Sequence, residues 1–252
     1  MLSRFKQRSY DLEHIDTGNY TADEYEGCII ELQRVNRWMG DAHILRDTLL
    51  REVADLGLKE ISVLDVGAGS GELLRVTSEW ARQTQRSLFG VGLELNERSA
   101  QAILNGSTDD IKSVRGNAIT LPFGSGQFDF VICSLFTHHF VEEQIVEIFR
   151  EMTRVAKRKV FVIDLHRHPI AYLLYTTVGK IVLHTRLLRE DGALSILRSF
   201  KPGEFRELAN AAGMKDVSVE RHFPFRLVLS ATGSDATTYT VAKVRNIGEK
   251  AA

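Results

Sequence analysis

VLDVGAGSGEL, residues 63–73, takes a short apolar strand pattern into a glycine turn that is followed at once by a helical pattern. Gly67, Gly69 and Gly71 remove Cβ atoms where the backbone must turn sharply and approach a ligand closely. The helix that follows opens with unpaired N–H groups and a positive dipole end. The spacing narrows the ligand. A dinucleotide fingerprint reads G-x-G-x-x-G, and counted from Gly67 its third glycine would fall on Glu72. Here the glycines alternate behind Asp65, and an acid in the first helical turn repels a pyrophosphate. A cofactor without phosphates fits the turn better.

Outward from this turn, β-rich runs alternate with helical ones. Strands are expected at 61–66, 87–93, 111–115, 128–134 and 159–165, with helices at 72–85, 97–105 and 142–156. Such alternation implies a parallel sheet, and ligands in such sheets bind at the carboxyl ends of the strands. Ahead of it, residues 23–57 read as two helices joined at Met39-Gly40-Asp41. Behind it, 167–198 is an apolar helical insert, and Pro202 opens a helix that ends near Gly213. The runs 216–221 and 226–231 are separated by too few residues for a crossover helix, which makes them an antiparallel pair. A third β-rich run at 238–244 leaves open which of the three holds the final sheet position. The expected division is an N-terminal helical cap over 1–57, a core over 58–245 that carries the insert, and a tail over 246–252.

The chain of 252 residues is long enough to bury a full α/β core. Its formal charge of −1 sets up no basic field for nucleic acid, so the expected partner is a small molecule. Cys28 and Cys133 are too few for a disulfide framework or a zinc site, which makes a reduced cytoplasm the expected compartment. The first residues lack the apolar core of a secretory signal, and no run reaches the roughly 18 unbroken apolar residues of a membrane span.

Asp65-Val-Gly67-Ala68-Gly69-Ser-Gly71 resembles the first motif of the class I S-adenosylmethionine-dependent methyltransferases, [D/E]-x-G-x-G-x-G after strand one. Two further segments are similar to that family in the same order. Gly116-Asn117-Ala118 resembles its G-D-A segment with Asn in place of Asp, and LPFGSGQFDF at 121–130 resembles its L-P-F-x-x-x-x-F-D signature. The resemblance covers roughly residues 58–245. It implies a Rossmann-like doubly wound sheet in the order 3-2-1-4-5-7-6 with the last strand antiparallel, and S-adenosyl-L-methionine as cofactor. Glu94, ending strand two, would accept hydrogen bonds from both ribose hydroxyls, because a carboxylate offers two acceptor oxygens to adjacent donors. Leu95 would lie beside it, Asn117 and Ala118 would meet the adenine, and Ser134 would close the pocket after strand four.

The chain looks most like the branch related to ubiquinone and menaquinone biosynthesis, which implies a phenolic, quinol or polyketide-like acceptor and oxygen ahead of carbon as the methylated atom. His138 and His139 follow strand four, where the methyl group would sit, and a neutral imidazole can take a proton from a hydroxyl as it is methylated. His139 is placed ahead of His138, with capping or packing at the next helix as the structural alternative. Asp164, His166 and His168 cluster after strand five and are expected to shape the acceptor pocket. No metal site is expected, since adjacent histidines lack a helical ligand spacing. Two readings of 170–188 stand side by side. In one it is an apolar tunnel or membrane-touching lid, flanked by Lys180, Arg186 and Arg189. In the other it is a helix pair packed on the N-terminal helices or on a dimer partner, and Arg34, Arg37 and Trp38 of those helices either close over the cofactor or form an Arg-rich solvent face. The chain is expected to be a monomer or homodimer. Against the enzyme stand a non-catalytic S-adenosylmethionine-binding protein and a nicotinamide-dependent reductase. The glycine spacing opposes the reductase, and its only Tyr-x-x-x-Lys pair is Tyr239 and Lys243.

Overall fold

The computed structural model describes residues 2–105 and 108–234, except for the side chains of Leu2, Gln33, Asn36, Arg37, Trp38, Met39 and Lys180. A 3-10 turn at Leu2–Phe5 and a short helix α1 (His14–Thr17) open the chain. Next comes α2 (Ala22–Met39), started by a capping box in which Thr21 and Glu24 satisfy each other's backbone N–H groups. Gly40, in the left-handed conformation, ends it. The break falls where the sequence placed it. The second helical stretch is less regular than expected: α3 (Asp41–Leu45), a π-helical turn at Arg46–Leu50 and α4 (Arg51–Asp55) follow one another directly.

The core then alternates as its pattern requires: β1 (Glu60–Val66), α5 (Glu72–Gln83), β2 (Ser87–Glu94), α6 (Glu97–Leu104), β3 (Ile111–Arg115) and β4 (Phe128–Ser134). After these come α7 (Glu142–Val155), β5 (Ala156–Leu165), α8 (Pro169–Thr177), α9 (Gly179–Val182), α10 (Arg186–Arg198), α11 (Pro202–Ala211), β6 (Lys215–His222) and β7 (Arg226–Thr232). The strands form one sheet in the order β3-β2-β1-β4-β5-β7-β6. β7 runs antiparallel to both β5 and β6, while the pairings among β1 to β5 are parallel. This is the doubly wound, Rossmann-like sheet order that the family resemblance implies. β6 and β7 take its last two positions, and the run 238–244, like the tail, lies outside the described residues.

Side-chain alternation along each strand feeds two cores. Leu64 and Val66 of β1 join Val131, Cys133, Ile145, Phe149 and Phe205 on one face. Val63 points to the other, with Leu49, Leu50, Val53, Leu74 and Ile103. Residues 45–56 therefore supply one of the two core layers. The insert packs unevenly. Leu183, Leu187 and Leu188 bury against Cys28, with Tyr20, Leu32 and Val35 packed around them, whereas α8 and α9 keep most of their aliphatic side chains in solvent.

Candidate active site

Three segments converge at the carboxyl ends of β1 and β2 through backbone hydrogen bonds. Gly67 and Ala68 donate their N–H groups to the Leu93 carbonyl, at 3.0 and 3.2 Å, and Gly116 donates to the Glu94 carbonyl at 2.9 Å. Gly67, Gly69 and Gly71 all adopt positive φ, a conformation that side-chain-bearing residues resist. At Gly67 space is closed as well, because a Cβ would come within 2.4 Å of the Phe136 ring. At Gly69 a Cβ would meet nothing within 4 Å, so the turn leaves open room there.

Glu94 reaches back over this turn, and its Oε1 accepts from the Gly69 N–H at 2.6 Å. Burial pushes its carboxyl upward, against backbone hydrogen bonds from Gly69, Leu95 and Asn96. Leu95 is 65 % exposed beside it. Asn117 is exposed and Ala118 buried. The Asn117 side-chain oxygen accepts from the Ile119 N–H at 3.0 Å, leaving one lone pair and the amide NH₂ for a further partner. Ser134 is half-buried and pairs with Ile163 of β5.

Asp65 is buried, and its Oδ1 has no hydrogen-bond partner. Burial, with Glu94 as the second cause, pushes its carboxyl up to about 8. A buried acid without a donor on one oxygen is costly to the chain alone, and suits a ligand that brings a donor or a positive charge. The shift has a measurable consequence. The folded chain keeps a proton that the unfolded chain releases near the ordinary carboxylate value of about 3.9, so this group lowers stability as pH rises from about 4 to about 8 and no further above that. The ligand-free Tm is therefore expected to fall across this window more steeply in the wild type than in Asp65→Asn. Parallel Tm curves would contradict the assignment.

On the acceptor side, β4 ends in a turn that starts with Leu135 at φ 50°, a strained left-handed conformation for a bulky residue. The turn carries Thr137 and His138 onto the end of β5. The fully buried Asp164 accepts from Thr137 Oγ1 at 2.6 Å, from the His138 backbone N–H at 3.2 Å and from the Leu165 N–H at 2.7 Å. Its Oδ1 also lies 2.7 Å from His138 Nδ1. Burial works to raise the Asp164 carboxyl, yet the His138 charge and the donors around it hold it down at about 2. In the neutral state of this ring, with Nδ1–H directed at Asp164, the lone pair resides on Nε2.

His139 sits differently. It is half-buried, and its Nδ1 lies 3.0 Å from Asp16 and 3.9 Å from Glu13. Both acids belong to the N-terminal segment, which straps across the turn. Arg8 donates to the carbonyls of His138 and Phe140 and pairs with Glu142 at 3.0 Å. Arg198 donates to the carbonyls of His138 and His139 and pairs with Asp16. Burial pushes Glu13 up to about 7, against the pull of His139 and Arg198. Glu13, His138 and His139 place ligand-type atoms within 4.8 Å of one another, and the Arg198 guanidinium already stands 3.7 Å from Glu13.

The expected trio after β5 does not act as one group. Asp164 belongs to His138. His168 caps α8, its Nδ1 accepting from the Ile170 N–H at 3.2 Å. His166 lies beside His168 with the two rings tilted and their centroids 5.3 Å apart, and burial, then the charge of His168, lowers it to about 4. Sequence reasoning passed over Arg8, Glu13, Asp16, Thr137 and Arg198, and also a buried ion pair between Arg226 and Asp41 at 2.8 Å. The one local clue was polarity: Glu13 and Asp16 lie in a stretch that reads as a solvated face.

Residues 64–163 match the family model of the methyltransferase domain. The chain is 29% identical over 129 residues to the uncharacterized methyltransferase YcgJ of Bacillus subtilis (strain 168), across 47% of this chain and 49% of that one. The match thus spans about half the length of that relative. Among solved structures, a SAM-dependent methyltransferase from Aquifex aeolicus is similar at a TM-score of 0.54 and 15% identity, over 79% of this chain and 97% of that one. Human N-acetylserotonin methyltransferase in complex with SAM is similar at a TM-score of 0.57 and 14% identity, over 88% and 62%. At these identities the likeness to solved structures is one of fold.

Proposed function

We propose that this chain, which carries a methyltransferase domain in a Rossmann-like methyltransferase sheet, is a class I enzyme that transfers a methyl group from S-adenosyl-L-methionine to a small acceptor. The observation that carries the reading is the convergence of Glu94 and of Asp65, whose buried Oδ1 has no partner, on a glycine turn with open room at Gly69. Glu94 would hold the ribose hydroxyls and Asp65 the cationic amine. Gly67, Ala68, Gly69 and Gly71 would line the turn, Leu95, Asn117 and Ala118 the adenine, and Ser134 the reacting end.

When bound, the cofactor supplies a methyl group already activated by its positive sulfur, so the protein contributes mainly orientation and exclusion of water. Of the two histidines we place His138 ahead of His139, because Asp164 holds its buried ring by Nδ1 and leaves Nε2 as the atom that would take the acceptor's proton. His139 is engaged by Asp16. Asp164 is then a positioning residue, and His166 and His168 contribute to the wall of the acceptor pocket.

For the acceptor, we infer a phenolic, quinol or polyketide-like molecule methylated on oxygen, in keeping with the resemblance to the ubiquinone and menaquinone branch. Peripheral contact with a lipid surface through 170–188 stands apart from this chemistry and rests on the aliphatic side chains of that stretch that stand in solvent. A reduced, cytoplasmic setting suits the two buried free thiols of Cys28 and Cys133. The test is turnover with methyl-labelled S-adenosylmethionine against a panel of phenols and quinols. Label is expected in a methyl ether, with one S-adenosylhomocysteine formed per transfer. Label on carbon would overturn the preference for oxygen. Cofactor binding without transfer to any member of the panel would favour the non-catalytic binding protein.

A further inference from the structure

α8 and α9 form a nearly continuous rod, since Val178 between them keeps right-handed helical angles, φ −65° and ψ −42°. Ile170, Leu173, Leu174, Val178, Ile181 and Val182 are 47–82 % exposed on it. Their spacing of i, i+3, i+4, i+8, i+11 and i+12 draws one stripe along a helix of 3.6 residues per turn. The stripe is held outward by what the other flank does. The Tyr172 ring meets Phe5 edge-on, with centroids 5.6 Å apart. Tyr175 packs on the buried cluster of Cys28, Leu183, Leu187 and Leu188, and its hydroxyl donates to the Leu188 carbonyl. Rolling the rod inward would break both anchors.

Cations stand at the anchored flank of the rod. The Arg4 guanidinium lies over the Tyr172 ring, 4.9 Å from its centroid, and donates to the Tyr172 hydroxyl at 3.1 Å. Lys6 and Arg189 are exposed nearby in the chain and along the cleft beside Tyr175. The acid in that cleft, Glu190, is engaged by His14 at 2.8 Å.

We propose that the exposed stripe of α8 and α9 docks this protein onto an anionic lipid surface, with the rod lying in the plane of the interface. The rod is too short for a span, which needs about 20 residues, and among the described residues no helix is long and apolar enough to cross a membrane. An aliphatic face sunk at the headgroup boundary with cations at its rim is the arrangement an anionic bilayer holds. A second copy fits less well, because a two-fold axis sets the same patch against itself and brings like charges together at the rim. α8 starts just beyond the end of β5, so on the methyltransferase reading above, docking also sets the acceptor side towards the bilayer. That consequence rests on the reading; the docking itself does not.

The experiment is co-sedimentation of the full chain with sucrose-loaded vesicles of phosphatidylcholine, with and without phosphatidylglycerol, alongside a Leu173→Asp/Ile181→Asp variant and an Arg4→Glu/Arg189→Glu variant. All four side chains are in solvent, and circular dichroism checks that each variant folds. Partitioning of the wild type onto the anionic vesicles is expected to exceed that onto neutral ones by about tenfold and to fall by about tenfold or more in either variant. Equal, negligible sedimentation with both vesicle types would overturn the proposal. So would concentration-dependent dimerisation lost in the aspartate variant without vesicle binding, which would give the face to a second copy. No cofactor or acceptor is needed for the assay, so its failure leaves the methyltransferase reading standing, and failure of methyl transfer leaves the docking standing.

Discussion

Glu94→Ala is expected to weaken S-adenosylhomocysteine binding by about 100-fold or more while the chain stays folded. The estimate follows from the two acceptor oxygens that a carboxylate offers to adjacent ribose hydroxyls. Hydrogen bonds to a charged group contribute about 1.5–3 kcal/mol each, and each 1.4 kcal/mol is about tenfold in affinity. Glu94→Gln keeps the shape and one acceptor, so its loss should be smaller, on the order of tenfold. The alanine variant also strips the Gly69 N–H of its 2.6 Å partner, which loosens the turn and adds to the effect. Calorimetry checks the order wild type, Gln, Ala. Equal affinity in all three would remove Glu94 from the cofactor site, even if the protein proved to bind S-adenosylhomocysteine.

The second large effect is expected at Asp164. In Asp164→Asn one acceptor oxygen becomes an NH₂ donor among groups that themselves donate: Thr137 Oγ1, the N–H groups of His138 and Leu165, and His138 Nδ1. Breaking a buried pair in this way costs about 3–5 kcal/mol of stability. The wild type should lose a smaller contribution of the same origin in acid. Because the folded carboxyl is held down at about 2, its stabilisation is present above the unfolded value of about 4 and disappears as pH falls towards 2. For methyl transfer, the asparagine favours the wrong tautomer of His138, and kcat is expected to drop by about 100-fold or more. Acceptor KM and cofactor affinity should change far less, since Asp164 would touch neither molecule. His138→Ala should give a similar drop, and the double variant little beyond either single one. Additive losses, or an unchanged kcat in a folded Asp164→Asn, would sink the role given to this pair.

The parts of this molecule legible in the sequence are those that local chemistry enforces. Three glycines behind Asp65 mark a sharp strand-to-helix turn, where all three take positive φ, and parallel alternation sets the ends of β1, β2 and β3 on one edge of the sheet, while the roles of Glu94 and Asn117 there are what the family resemblance implies. The sheet order rests instead on the family resemblance, since alternation alone leaves strand order open, and β6 and β7 fill its last two positions among the described residues. What was not legible is nonlocal. His138 and Asp164 were read as belonging to separate clusters, yet the register that sets Ser134 opposite Ile163 also carries the turn after β4 onto Asp164. The N-terminal strap is a sharper case. Arg8, Glu13 and Asp16 have the polarity of a solvated stretch, and only tertiary contact with Arg198 and the histidine turn reveals that Arg8 and Glu13 are buried. The insert misled in another way, because hydrophobic content alone does not say which face is covered. Leu187 and Leu188 found α2, while Ile181 stayed 82 % exposed.

The measurement closest to the central claim is calorimetric titration of the intact protein with S-adenosylmethionine, S-adenosylhomocysteine and NADH. Binding of the two sulfur compounds at one site per chain in the micromolar range, with no heat from NADH, is the result this account predicts. Folded protein that takes up neither sulfur compound, or that binds NADH more tightly than both, would contradict it.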